Sequence, residues 1–386
     1  MSAAGATTNG FVPPPYPHDR LDALRRLADA VPSGVVDCSI GNPVDPIPEV
    51  ALQALAQAAA SATSYPPSIG TPALRGAAVG WMHRRFGFEL DPAQVIACVG
   101  TKELVAALPH LLHLRDPSRD TVLYPAISYP TYAMGAELAG IRSVPVPLDD
   151  EWQLDLGRVS DEDAARALVL WTNDPGNPTA AVAGGAATAA AVEWARARGI
   201  ILAADECYVE FAGEGTPPNT ALLSGTEGVL ALHSLSKRSN MAGMRVGFAA
   251  GDADLITYLG ETRKHAGLIV PTPVQAAAAA ALGDDEHVFV QRDRYERRRA
   301  LMINGLAAHG LIHDGGPARF YLWLRAAESA DDGWEIAARL AEAGTLVAPG
   351  SLYGPAGADH VRLALSQTDE RLELVLHRLA ESSRPA

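Results

Sequence analysis

Short apolar runs recur along the middle of the chain, at Val95 to Val99, Thr121 to Tyr124, Ile141 to Val146, Ala167 to Trp171, Ile200 to Ala204, Val229 to His233 and Val246 to Ala250. Each has the length of a buried strand, and helix-length segments such as Ala187 to Arg198 fall between them. Strands that are apolar throughout are covered on both faces, so the pattern predicts an α/β fold with a mainly parallel seven-stranded sheet between layers of helices. Upstream, Pro13, Pro14, Pro15 and Pro17 exclude a helix interior or a central strand. They predict an extended arm leading to a helix near Arg20 to Ala30.

After about Gly283 the texture changes to a charged helix, Glu286 to Ala308, followed by strands over Arg319 to Leu324 and His360 to Leu365. This predicts a smaller α+β domain. The expected division is an arm plus part of the small domain over 1–45, a large domain over 46–284 and a small C-terminal domain over 285–386. Arg292, Arg294, Arg297, Arg298 and Arg299 are expected to form the polar face of the charged helix, balanced by Asp293 and Glu296.

The 386 residues, 48% of them hydrophobic, are enough for two domains with a large core. Against 31 Lys and Arg stand 45 Asp and Glu, a net charge of -14 that opposes a nucleic-acid backbone or an anionic membrane. The segment Met1 to Gly10 lacks a basic start and an apolar run, and no stretch has the length and apolarity of a membrane span, so a cytoplasmic protein is expected. Cys38, Cys98 and Cys207 are too few and too scattered for a disulfide framework or a zinc ribbon, and no metal is expected. The glycine-rich dinucleotide and P-loop signatures, H-E-x-x-H and G-x-S-x-G are all missing.

In a parallel sheet, ligands gather at the carboxyl ends of the strands, and that is where the polar groups of this chain fall. Asp205-Glu206-Cys207-Tyr208 follows one apolar run and Ser234-Leu235-Ser236-Lys237-Arg238 another, with Arg245 beyond. Asn173-Asp174-Pro175-Gly176-Asn177-Pro178-Thr179 follows a third, and Gly100-Thr101-Lys102-Glu103 turns a fourth into a helix start suited to an anion.

From about Asp37 to Leu374 this set resembles the fold-type I pyridoxal-phosphate enzymes, and within them the class I/II aminotransferases. The strongest match runs from Ser234 through Lys237 to Arg245 and Phe248, with Asp205-x-x-Tyr208 and Asn177-Pro178-Thr179 in order upstream. The resemblance implies pyridoxal 5'-phosphate as cofactor, amino-acid and 2-oxo-acid substrates, and a homodimer with shared active sites. Lys237 is then the Schiff-base lysine and the proton shuttle between Cα and the cofactor. Asp205 faces the pyridine nitrogen and keeps it protonated. Asn177 and Tyr208 hold the ring's 3' oxygen, and Tyr129 stacks on the ring. Thr101, Lys102, Ser234, Ser236 and Arg245 belong to the phosphate site, which Tyr65 reaches from the neighbouring subunit. Arg362, with Gly41 and Asn177, takes the substrate carboxylate.

Two departures stand out. Ala180 occupies a place where glycine is common, which predicts a different local turn, because alanine is disfavoured at positive φ. Arg238 follows the lysine, and Ser-Lys-Arg-Ser-Asn-x-Ala-Gly with Gly-x-Lys-Glu resembles the N-succinyldiaminopimelate aminotransferases. Transamination between N-succinyl-LL-2,6-diaminopimelate and 2-oxoglutarate is the expected reaction, with Lys102, Arg238 and Lys264 as candidate basic groups for the extra carboxylates, a phosphate or surface role being equally open for each. Alternatives are an aromatic, alanine-type or LL-diaminopimelate aminotransferase, a Ser234-x-x-Lys237 hydrolase, for which the K-T-G element is missing, and a non-catalytic relative.

Overall fold

The computed structural model describes residues 11–328 and 330–382. A short strand, β1 (Val36–Asp37), precedes the strands of the large sheet: β2 (Val95–Cys98), β3 (Thr121–Pro125), β4 (Arg142–Val146), β5 (Ala167–Asn173), β6 (Ile201–Asp205), β7 (Val229–Ser234) and β8 (Gly247–Gly251). All seven apolar runs are strands of one sheet, ordered β2-β8-β7-β6-β5-β3-β4. Only β8 runs against its neighbours.

The sheet is buried on both faces because consecutive residues serve opposite cores. On β5, Leu170 packs with Trp81, Leu202 and Phe248 on one side, and Trp171 with Leu104, Tyr132 and Leu255 on the other. The helix expected over Ala187 to Arg198 spans Gly185–Arg196.

A second core gathers around β9 (Leu311–His313), β10 (Tyr321–Ala326), β11 (Thr345–Leu346), β12 (Ala348–Pro349) and β13 (His360–Ala364). Four of these form an antiparallel sheet, β12-β13-β10-β9, while β11 pairs in parallel with β1. The first strand expected in this part, Arg319 to Leu324, starts two residues later than its apolar pattern. Near the N-terminus a 3₁₀ turn, Pro17–Leu21, leads into the helix Asp22–Asp29. Proline suits the first turn of a helix, since its missing N–H would have no partner there. The part of the expected arm before Phe11 lies outside the described residues.

The arginine-rich helix, Glu286–Ala307, corrects one expectation. Only Arg297 of its five arginines is exposed, and Arg292, Arg294, Arg298 and Arg299 reach partners on other segments rather than balancing along the helix. Arg298, 3% exposed, binds Asp45 through both terminal nitrogens and Asp369 through Nε. Arg292 pairs with Glu210, and Glu296 pairs with Arg319. The helix lies between segments remote in sequence, so its charges meet acids brought to it by packing.

Candidate active site

A cavity of about 230 Å³ opens at the carboxyl ends of β5, β6 and β7 and is faced by β10 and β13. Lys237 enters it from the four-residue helix Leu235–Arg238 that directly follows β7. Its Nζ donates to the carbonyl of Gly41, and no carboxylate pairs with it among the described residues. Burial and the nearby Arg362 guanidinium lower its pKa to about 8, which raises the share of neutral amine.

Asp205 ends β6 and is 6% exposed. Its Oδ2 accepts from the Tyr132 hydroxyl at 2.8 Å and its Oδ1 from the Cys207 N–H at 3.2 Å. No cation pairs with it among the described residues, and burial pushes its carboxyl above the usual range despite those donors. The Tyr208 hydroxyl lies 2.8 Å from that of Tyr321. Asn173 ties β5 to β6 by donating to the Asp205 carbonyl, and its own side-chain oxygen accepts from the Asn177 N–H, both at 2.8 Å.

Arg362 reaches the cavity from β13. It is 4% exposed, donates to Asn177 Oδ1 at 2.8 Å and to the Ser39 carbonyl at 2.5 Å, and lies over the rings of Tyr321 and Tyr353. Its Nε has no partner and no carboxylate neutralises it among the described residues. A buried guanidinium held by neutral acceptors is a receptor for an incoming carboxylate.

The opposite end of the cavity is built for a second anion. Thr101 starts the helix Thr101–Arg115 after Gly100, whose φ is +71°. A Cβ on Gly100 would stand 2.3 Å from Nη2 of Arg245, so glycine lets that guanidinium cross the helix start. Ser234 accepts from the Ser236 N–H at 3.1 Å beside them. Lys102 lies in the same cavity, 3.3 Å from the Tyr16 hydroxyl, with its Nζ 5.9 Å from the centre of the Tyr129 ring.

Two of the three basic groups offered for the distal carboxylate lie outside the cavity. Arg238 is buried outside the cavity among Glu210, Asp285 and the Ala281 carbonyl, and Lys264 is exposed and paired with Glu261. Neither meets a substrate in the catalytic cavity, because each is committed to a local acid. Tyr65, expected to act in a neighbouring subunit's site, is 97% exposed and lies outside the cavity of its own chain. Ala180 adopts the left-handed turn it was expected to avoid, with φ +57°. Its N–H donates to Gly176, its carbonyl accepts from Ala318, and Thr179 accepts from Gly316. This network holds alanine in a conformation that costs it roughly 1 kcal/mol.

The sequence reading missed Tyr16, His18, Tyr132 and Tyr321, all of which line the cavity. Tyr132 had a signal: it stands one helical turn after Tyr129, in the helix Thr131–Leu138.

A desolvated lysine, a buried carboxylate without a cation and an anion cradle at a helix start fit pyridoxal phosphate, which brings an aldehyde, a basic ring nitrogen and a phosphate. The comparisons with known proteins agree. The chain belongs to the aminotransferases of class I and II, a pyridoxal-phosphate-dependent family, and matches it over residues 33–379. It is 44% identical over 370 residues to the 4-dedimethylamino-4-oxo-anhydrotetracycline transaminase OxyQ of Streptomyces rimosus, covering 95% of this chain and 99% of that one. It is 36% identical over 376 residues to the LL-diaminopimelate aminotransferase of Desulforudis audaxviator, covering 95% of each. Among solved structures, a probable N-succinyldiaminopimelate aminotransferase from Thermus thermophilus superposes with a TM-score of 0.84 at 33% identity, covering 94% of this chain and 99% of that one. The protein is therefore a pyridoxal-phosphate-dependent aminotransferase of the fold-type I class, and the Ser-x-x-Lys hydrolase reading loses its support. No helix among the described residues is long and apolar enough to cross a membrane.

Proposed function

We propose that the enzyme transaminates amino acids with extra carboxylates on a long side chain, with N-succinyl-LL-2,6-diaminopimelate and 2-oxoglutarate as its substrate pair. Arg362, buried without an acid and facing the cavity of Lys237, is the observation that carries the reading. Bound in this cavity, pyridoxal phosphate supplies an aldehyde for the amino group and a ring that accepts the electrons of the broken Cα–H bond.

The chain's own residues do the rest. Arg362 grips the α-carboxylate through its fork of N–H groups, with Asn177 fixing the fork's orientation. The Lys237 amine takes the proton from the substrate's Cα, which needs the neutral form that its lowered pKa favours. Asp205 holds a proton on the ring nitrogen, and the Tyr132 hydroxyl keeps the carboxylate aimed. Thr101, Ser234, Ser236 and Arg245 bind the phosphate, while Asn177 and Tyr208 bind the ring hydroxyl and Tyr129 packs on the ring. Lys102 and His18 are the remaining basic side chains of the cavity, and Lys102 takes the distal carboxylate, with Gly41 adding a backbone contact. Tyr65 reaches the phosphate of a second copy in a homodimer, a role its full exposure in one chain supports.

The similarity to OxyQ favours a second reading, in which the acceptor is a bulky ketone. A panel separates them: purified holoenzyme with glutamate is offered N-succinyl-2-amino-6-oxopimelate, simple 2-oxo acids and a polycyclic ketone. The succinylated acceptor is expected to give the highest kcat/KM. Brisk turnover of another acceptor with none of that one overturns the substrate assignment and leaves the reaction class intact.

A further inference from the structure

A second cavity, about 480 Å³ in volume, lies beneath the loop that follows β5. It is about twice the size of the catalytic one and falls in the range of small-molecule sites. Ala204, Glu206 and Ala221 line its buried part, and Ala187 and Ala190, exposed on the helix Gly185–Arg196, line its mouth. Alanine at these positions leaves open a space that larger side chains would fill in a packed interior.

The charge of this cavity is one-sided. Asp149, Glu151, Asp174 and Glu206 line it, and no lysine, arginine or histidine does. Such a wall repels the amino acids' carboxylates and favours a cation. Glu206 is 3% exposed and only half satisfied. Its Oε1 accepts from the Thr220 hydroxyl at 3.1 Å and the Ala221 N–H at 2.8 Å, whereas its Oε2 has no hydrogen-bond partner. Nε2 of His233, 3.4 Å away, is not placed to donate to it. That oxygen has almost no accessible surface and faces His233, which lines a separate and smaller cavity, so it is not open to a ligand here. Asp174 accepts from the Ala183 N–H at 2.9 Å and keeps part of its surface open. Burial raises both acids, Asp174 to about 7 and Glu206 to about 8, as befits carboxyls with no cation beside them. Trp152 adds an aromatic face whose indole N–H is anchored on the Asp314 carbonyl at 2.8 Å.

We propose that this cavity is a second ligand site for a small organic cation, an amine whose nitrogen meets Asp174 and whose apolar body rests on Trp152 and the alanines. A cation beside an aromatic face and a carboxyl gains from both. The site does not depend on the substrate assigned above. Asn173 and Asn177 line both cavities, so the ligand lies behind the catalytic loop.

Calorimetric titration of the holoenzyme with N,N-dimethylphenethylamine tests the proposal, since a tertiary amine cannot condense with the cofactor aldehyde. Binding is expected in the presence of saturating maleate, which occupies the substrate-carboxylate site. It is expected to weaken at least tenfold in Asp174→Asn and in Ala187→Trp, and to be undetectable for the anionic analogue 3-phenylpropanoate. Ala187→Trp adds bulk at an exposed helix position, and its turnover is expected within twofold of the parent, so it decides the matter even where Asp174→Asn fails to fold. Absence of amine binding, equal binding of 3-phenylpropanoate, displacement by maleate, or unchanged binding in Ala187→Trp would overturn the proposal.

Discussion

Arg362 donates to the side-chain oxygen of Asn177 across 2.8 Å, joining a strand of the small sheet to the loop that leaves the large one. The proposed carboxylate receptor is thus assembled between two cores and oriented from both. Replacing Arg362 with Lys keeps the charge but loses the planar fork and its bond to Asn177. The expected result is a roughly 100-fold fall in kcat/KM for amino donors, about 3 kcal/mol, carried mainly by KM. Steady-state kinetics with glutamate checks it, and an unchanged KM would contradict the assignment.

Lys237→Ala is expected to lower turnover by roughly 10³-fold or more, because the cavity's other amine, Lys102, is engaged with the Tyr16 hydroxyl. Added methylamine should restore part of the rate. Turnover equal to that of the parent would remove Lys237 from the chemistry.

Capture of the cofactor aldehyde by cofactor-free enzyme needs the neutral form of Lys237. With the pKa lowered from 10.5 to about 8, the neutral fraction at pH 8 is about one half, against roughly 0.3% for an ordinary lysine. The capture rate should rise with pH and reach half its maximum near pH 8, followed by intact mass after borohydride reduction. Since the Arg362 charge helps to depress this pKa, Arg362→Gln should move the midpoint to higher pH.

Tyr132→Phe removes the hydroxyl that donates to Asp205. A hydrogen bond to a charged acceptor is worth about 1.5 to 3 kcal/mol, so the dissociation constant for pyridoxal phosphate should rise roughly tenfold or more. Fluorescence titration of the cofactor-free variant measures this, with circular dichroism as the control for folding.

Arg298→Ala leaves Asp45 buried without its principal cation. Breaking such a pair costs about 3 kcal/mol or more, which for a chain of this size is a fall in Tm of roughly 4 °C. Scanning calorimetry of the holoenzyme is the check. A solvated surface arginine would leave Tm unchanged.

The sequence by itself determined the seven strands of the large sheet and the polar residues at their ends. Strand periodicity is local, and in a parallel sheet the residue after each strand is delivered to one rim, so Lys237, Asp205 and Asn177 were legible from their neighbours alone. What surrounds them was decided by tertiary structure. Tyr132 is 73 positions from the carboxylate it bonds, and Arg362 is 185 from Asn177. Arg298 looked like a surface charge until packing set Asp45 against it, and Ala180 holds positive φ because the loop between β9 and β10, remote in sequence, bonds to its own loop. Local propensity cannot register such contacts, since each depends on which distant acid, donor or ring the two cores bring within bonding distance.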